Sequence, residues 1–278
     1  MRLSISNIAW DRQDDLAVAG MLRSFSIDAI DVAPGKYFPM PDQASDADIS
    51  AVRDWWSSQG IEIIGMQSLL FGTTGMNLFG PRDVQDRMLQ HLSHICRIGA
   101  GLGAGCLVFG SPKNRDRGRL TDEQALAMAV PFFQKLAQTA EGNGVVICLE
   151  PNPTNYGANF MTNSDETALV VEEVGHTHLR MQLDTGALTI NSESAEELLK
   201  RHAALIGHIH ASEPGLLPLG DGITDHSAMA AAIYRHLPTH PVTVEMLPGD
   251  KPTLQAIESA LVLATKHYRT MDRSIVET

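Results

Sequence analysis

Glu150, Asp184, His210 and Glu245 each close a short apolar run, and they stand 34, 26 and 35 residues apart. If the runs are neighbouring strands, that spacing suits one strand–helix repeat each and brings three carboxylates and one imidazole to a common rim. Any one of these groups alone has a plain explanation. Asp184 would cap the next helix, while Glu150 at the end of VVICLE, or Glu245, would join a structural ion pair. Three carboxylates aimed at one cavity are different. They raise one another's pKa unless a cation compensates them. No lysine or arginine closes any of these four runs, so one bound divalent metal ion is the simplest compensation. The donor set suits Mn2+ first, with Mg2+, Co2+ or Zn2+ as the other choices. Four protein ligands leave two octahedral positions for a substrate that chelates through adjacent oxygens.

The stretch GHIHASEP at 207–214 carries two histidines two residues apart. Side chains alternate along a strand, so His208 and His210 share a face. His210, later on the strand, is the ligand. His208 sits one layer deeper, where it orients a ligand or the substrate, or is a satisfied core histidine.

These residues need elements to position them. Eight β-like runs recur, at 3–9, 28–33, 61–67, 105–109, 145–150, 180–184, 206–210 and 242–245. Most are nearly continuous apolar runs, as expected of parallel strands covered on both faces. Helical patterns separate them. Val84, Met88, Leu92 and Ile95 repeat at helical spacing, and further helices are expected near 13–25, 47–59, 164–174, 193–204, 226–236 and 252–269. Thr121, with Asp122 and Glu123 in the first turn, starts another, which Pro131 should kink or break and the Glu141–Gly144 segment EGNG should end. Eight alternations predict a single-domain α/β fold over residues 1–278, a (β/α)8 TIM barrel, with a tail after about residue 268 that is peripheral. A doubly wound open sheet is the other candidate, but no GxGxxG follows the first run. The longest loops are expected at 68–81 and 111–120.

Composition narrows the partners. The chain has 278 residues, 44% hydrophobic and 19% charged, with a formal charge of −12. The acidic balance disfavours a nucleic-acid binder. No apolar run approaches the ~20 residues of a membrane span. The N-terminus turns acidic too early for a secretory signal, which points to a cytoplasmic protein. Cys96, Cys106 and Cys148, an odd count without CxxC, read as reduced buried thiols, with a catalytic thiol as the lesser alternative.

The segments LEPNP at 149–153, LDTG at 183–186, HIHASE at 208–213 and VTVEM at 242–246 resemble the xylose isomerase-like TIM-barrel family of sugar phosphate isomerases and epimerases. The resemblance spans nearly the whole chain. It implies a divalent metal, often Mn2+, on Glu150, Asp184, His210 and Glu245, with Glu150 and Glu245 also moving protons. It also implies a small carbohydrate substrate and a dimer or tetramer. The chain departs from the ketose 3-epimerases, which usually have a histidine where Ala187 stands and an arginine in the loop that here reads SEPGLLPLGDG. It departs from the apurinic endonucleases in offering Gln67 and Phe109 where those carry extra histidines.

The expected activity is isomerisation or epimerisation of a sugar, sugar acid or sugar phosphate through a metal-stabilised enediolate, with Glu150 and Glu245 as the acid/base pair. A polyol dehydratase, in which the same enediolate expels a hydroxyl, and a non-catalytic sugar-binding barrel are the alternatives. Candidate substrate contacts are Asn7, Asp31 and Gln67 at the ends of the first three runs, Lys113 and Arg115 of SPKNR for a substrate anion, Asn152 and Tyr156 of PNPTNYG, and His208 and Glu213. Trp10, Phe71 and Phe79 are candidates for excluding water.

Overall fold

A computed structural model of the protein describes residues 1–269. Eight parallel strands close into a barrel in sequence order: β1 (Leu3–Ser6), β2 (Ala29–Val32), β3 (Glu62–Met66), β4 (Cys106–Phe109), β5 (Val146–Leu149), β6 (Leu179–Asp184), β7 (Ile206–Ser212) and β8 (Val242–Glu245). The helices are α1 (Asp15–Ser24), α2 (Asp46–Ser58), α3 (Arg82–Leu102), α4 (Asp122–Asn143), α5 (Ser164–Val174), α6 (Thr185–Asn191), α7 (Ala195–His202), α8 (His226–His236) and α9 (Thr253–Ala264). The chain is thus a (β/α)8 barrel, and the open-sheet alternative is excluded by the β1–β8 pairing. No described helix is long and apolar enough to cross a membrane.

The helix starts follow their sequence signals. Ser45 opens α2 with a capping box, its hydroxyl accepting from Asp48 N and its own N–H donating to the Asp48 carboxylate. Thr121 and Gln124 form the same box on α4. Between strands and helices lies the apolar core. Trp56 of α2 is fully buried, and Phe133 of α4 packs edge-on against Phe109 of β4 with ring centroids 5.4 Å apart. Side chains of this size contribute roughly 1.5–3 kcal/mol each on full burial.

Three local expectations are corrected. The first run is strand only to Ser6, whose hydroxyl accepts from Ile8 N and turns Asn7–Ala9 into a short 3-10 segment. Pro131 does not break α4, which runs through it to Asn143. Pro131 and Ala127, whose carbonyl it leaves without a helical partner, are both exposed, so water can serve that oxygen. Phe132, Phe133 and Leu136 anchor the following turn. Helix α6 has no counterpart in the sequence reading. It is a seven-residue helix opened by Asp184 itself, whose Oδ1 accepts from Ala187 N at 2.6 Å. The tail expected after about residue 268 lies, beyond Arg269, outside the described residues.

The loop after β3, 67–81, is the longest between strand and helix as expected, but the loop after β4, 110–121, is shorter than those after β2, β5 and β7. The Asn114 side chain donates to Met76 O at 2.9 Å and its backbone carbonyl accepts from Leu78 N at 2.8 Å, so the loops after β3 and β4 are joined at the barrel mouth.

Candidate metal centre

Barrel register brings the four rim residues together. Asp184 pairs with His210 across β6 and β7, and Glu245 pairs with Ser212 across β7 and β8. Glu150 lies one residue past β5. One donor atom from each of Glu150, Asp184, His210 and Glu245 lies within 4.8 Å of the others. His210 Nδ1 stands 3.3 Å from Glu245 Oε2 and 3.9 Å from Glu150 Oε1.

Each carboxylate is held from behind. Asp184 Oδ2 accepts from Ser212 Oγ at 2.6 Å. Glu245 Oε1 accepts from Gln67 Nε2 at 2.5 Å. Glu150 Oε2 accepts from Asn152 Nδ2 at 3.1 Å, and Asn152 Oδ1 accepts from Arg115 Nη2 at 2.5 Å. Asp184 therefore caps α6 through Oδ1 and also belongs to the cluster, so its two sequence readings coexist.

The electrostatics show how crowded the negative charge is. Burial, then Glu245 and Asp184, push the Glu150 carboxyl up to about 8. Burial and Glu245 push Asp184 up to about 6. Burial acts against a charged His210, but Glu245, Asp31 and Glu150 outweigh it and hold the imidazole well above its ordinary value. Groups shifted in this way attract positive charge, whether protons or a cation. Three hard oxygen donors and one imidazole fit Mn2+, Mg2+, Co2+ or Zn2+, and these four residues would hold it.

Deeper in the barrel, His208 Nε2 lies 2.6 Å from Asp31 Oδ2, and both side chains are buried. Burial disfavours the charged imidazole, yet Asp31 prevails and raises His208 to about 9. Asp31 also stands 3.7 Å from His210 Nε2. Its expected role as a contact for sugar hydroxyls is corrected, since it is sealed beneath the cluster with no exposure.

Several other expected substrate contacts are also corrected. Lys113 is exposed on a 3-10 turn and does not border the cavity, and the Arg115 guanidinium is buried behind Asn152. SPKNR offers Arg115 as a site for a substrate anion or as a solvated surface charge, and burial rules out both. Asn7 uses its Oδ1 to accept from Ala33 N at 2.7 Å, which fixes the turn after β2. Glu213, by contrast, does border the cavity, and its oxygens also accept from Gly220 N and Thr224 N with His226 3.0 Å away, which shapes the loop after β7. Trp10 donates to buried Asp15 at 2.8 Å, and Phe79 packs on Phe160. Neither borders the cavity, whereas Phe71, Gln67, Asn152 and Tyr156 do. That cavity holds about 370 Å3 over the ligand cluster. A larger groove of about 720 Å3 lies elsewhere, beside Tyr37, Met40 and Trp55, and none of the four converging residues borders it.

Two glycines make the cluster possible. A Cβ on Gly110 would lie 1.8 Å from Glu150 Oε2, and one on Gly65 would lie 2.6 Å from both Asp31 oxygens. Backbone and carboxylate approach so closely that no side chain fits. Gly110→Ala is expected to swing Glu150 off the cluster and weaken metal affinity at least ten-fold, measured by calorimetric titration with Mn2+, with unfolding little changed. Gly65→Ala is expected to destabilise the fold by about 1–3 kcal/mol, the usual range for overpacking, read by denaturant titration. Sequence reasoning missed both glycines and Ser212, although Ser212 lies two residues after His210 and so on the same face.

The comparisons with known proteins agree with this architecture. The profile of the family described as xylose isomerase-like TIM barrel matches residues 21–265. The D-psicose 3-epimerase of Enterocloster bolteae is 30% identical over 97 residues, which are 34% of this chain and 32% of that protein. Its counterpart from Ruminiclostridium cellulolyticum is 28% identical over 86 residues, 31% and 29% of the two chains. The matched stretch thus spans about a third of these curated relatives. Among solved structures, D-psicose 3-epimerase in the presence of D-fructose has a TM-score of 0.80 at 17% identity, covering 97% of this chain and 100% of that one. The 3-keto-D-glucoside 4-epimerase of E. coli has a TM-score of 0.79 at 16% identity, covering 96% and 99%. These likenesses show a shared fold.

Proposed function

Because the chain belongs to the xylose isomerase-like TIM-barrel family, we propose that it is a divalent-metal-dependent isomerase or epimerase of a small carbohydrate. It moves a proton at a carbon next to a carbonyl. The observation that carries the reading is the convergence of Glu150, Asp184, His210 and Glu245 on one point at the floor of a cavity. The epimerase names of the matched relatives support it.

A bound divalent cation, Mn2+ by preference, would supply positive charge where the substrate oxygens turn negative during proton abstraction. The protein supplies the rest. Glu150 and Glu245 each have one oxygen tied to an amide, Asn152 or Gln67, and the other turned toward His210. Two carboxylates fixed in this way can take a proton from a substrate between them and return one to the same or the adjacent carbon. Asp184, locked by Ser212 Oγ and Ala187 N, is a ligand without a proton-transfer duty. Buried Leu69, Leu70 and Phe109 wall the cavity and limit access of bulk water.

The test is proton NMR in D2O with Mn2+-loaded protein and a panel of ketoses and aldoses. Solvent deuterium at a retained carbon is the expected result. Loss of water with formation of a deoxy product would make the protein a dehydratase instead. Tight sugar binding without either change would make it a binding barrel.

A further inference from the structure

We infer that Arg115 is a positioning residue of the metal centre. It holds the Asn152 amide in one orientation, so that Glu150 keeps Oε2 against that amide and turns Oε1 to the cation and the substrate. Its effect on turnover rests on the function proposed above, whereas its effect on metal binding rests on the geometry alone.

Stability gives no reason for an arginine here. Arg115 ends the 3-10 turn Pro112–Arg115 after β4 and is fully buried. Its Nη2 donates to Asn152 Oδ1 at 2.5 Å, while Nε and Nη1 have no partner among the described residues. Burial pulls the guanidinium down to about 10, with Glu150 and Glu166 the charges that oppose the shift. A buried cation with so few partners costs free energy that an apolar side chain of similar length would not. The turn that delivers it is nevertheless held firmly. Ser111 Oγ donates to Asn114 Oδ1 at 2.5 Å, and Asn114 Nδ2 donates to Met76 O at 2.9 Å.

What the guanidinium supplies is direction. It carries donors and no acceptor, so the amide oxygen of Asn152 must face it and the NH2 group must face away. That NH2 group donates to Glu150 Oε2 at 3.1 Å. A reversed amide would set donor against donor at Arg115 and oxygen against oxygen at Glu150. The Asn152 backbone is fixed as well, its N–H donating to Met161 O at 3.0 Å. On its other side Oε2 lies so close to Gly110 that a Cβ there would be 1.8 Å away. Oε1 is the oxygen left to face the cluster, 3.9 Å from His210 Nδ1. The amide behind Glu245 has no such lock. Gln67 Nε2 donates to Glu245 Oε1, but Gln67 Oε1 is buried without a partner.

Charge and position predict opposite signs. A cation behind Glu150 repels a divalent ion, so by charge alone the loss of Arg115 would tighten metal binding. If Arg115 acts by holding Asn152, its loss weakens metal binding, because a ligand no longer supported from behind strays from its geometry.

The experiment compares wild type, Arg115→Met and Asn152→Asp by calorimetric Mn2+ titration, by thermal unfolding and by the kinetics of deuterium exchange into a sugar. Arg115→Met is expected to raise the Mn2+ Kd by about 10–100-fold, the usual cost of losing a group behind a metal ligand, without lowering Tm. It should lower kcat by about as much, the scale of a small misplacement at the reacting centre, and leave KM little changed. Asn152→Asp keeps an acceptor for Arg115 but offers Glu150 no donor. It should therefore lose Mn2+ affinity to a similar extent, although it adds a negative charge. Mn2+ binding as tight as wild type or tighter in Arg115→Met would overturn the inference, as would a loss that Asn152→Asp does not share. If Arg115→Met does not fold, Asn152→Asp decides alone, and undiminished Mn2+ binding there overturns the inference. A wild type that exchanges deuterium into no sugar ends the proposed activity and leaves the Mn2+ titrations to decide, and a wild type that binds no Mn2+ overturns the inference as well.

Discussion

Glu150→Gln is expected to lower deuterium exchange by about 10²–10⁴-fold, the usual share of a positioned acid or base, while the protein still folds and still binds metal. Glutamine keeps the size of glutamate, and its amide oxygen can accept from Asn152 Nδ2 as the carboxylate does. The substitution removes the ability to take and return a proton, along with one negative charge from the ligand set. Folding should survive, because the wild-type carboxyl already leans toward its neutral form, pushed up to about 8 by burial, Glu245 and Asp184. Metal titration and circular dichroism on the same sample separate chemistry from collapse. Exchange at the wild-type rate with normal metal content would take Glu150 out of the mechanism.

Removing the cation is the second large effect. A ligand at about 100 times its Kd stabilises a protein by roughly 2.7 kcal/mol, which for a chain of this size corresponds to a Tm change of about 5–10 °C. Chelator treatment should lower Tm by that amount, and Mn2+ should restore it. The gap should also depend on pH. In the metal-free protein Glu150 titrates near 8 and Asp184 near 6, both above ordinary carboxylates, with burial as the largest cause. The native state then holds more protons than the unfolded chain, so this stabilisation is complete below the ordinary carboxylate range and is lost as pH rises through about 6 to 8. Metal binding runs the other way, since ligands must lose their protons. The Tm gap between loaded and metal-free protein should widen from pH 5 to pH 8. A constant gap, or no response to chelator, would remove the cation from the account.

The strand ends were legible in the sequence for a physical reason. A parallel barrel buries both faces of each strand, so VVICLE and VTVE are apolar until the chain reaches the rim, and the first ionisable residue there stands out. Spacing of one strand–helix unit between such residues then implies a shared rim. The helix start at Thr121 was as readable, because caps are local chemistry.

What resisted reading depended on partners far away in the chain. Asp31 looks like another rim residue, yet the register of β2 sets it beneath the cluster against His208, 177 residues later. Arg115 looks like a solvated loop charge, yet the loop after β4 folds it inward to Asn152. Gly110 and Gly65 carry no visible signal, since what each accommodates is a carboxylate from another strand.

By itself, then, the sequence determined the barrel and the four groups at its mouth, because periodicity, capping and burial act over a few residues or one repeat. Tertiary structure alone decided which polar side chains face the cavity and which are tied up behind it. A hydrogen bond or an excluded Cβ between distant strands exists only after the barrel has closed and fixed their register.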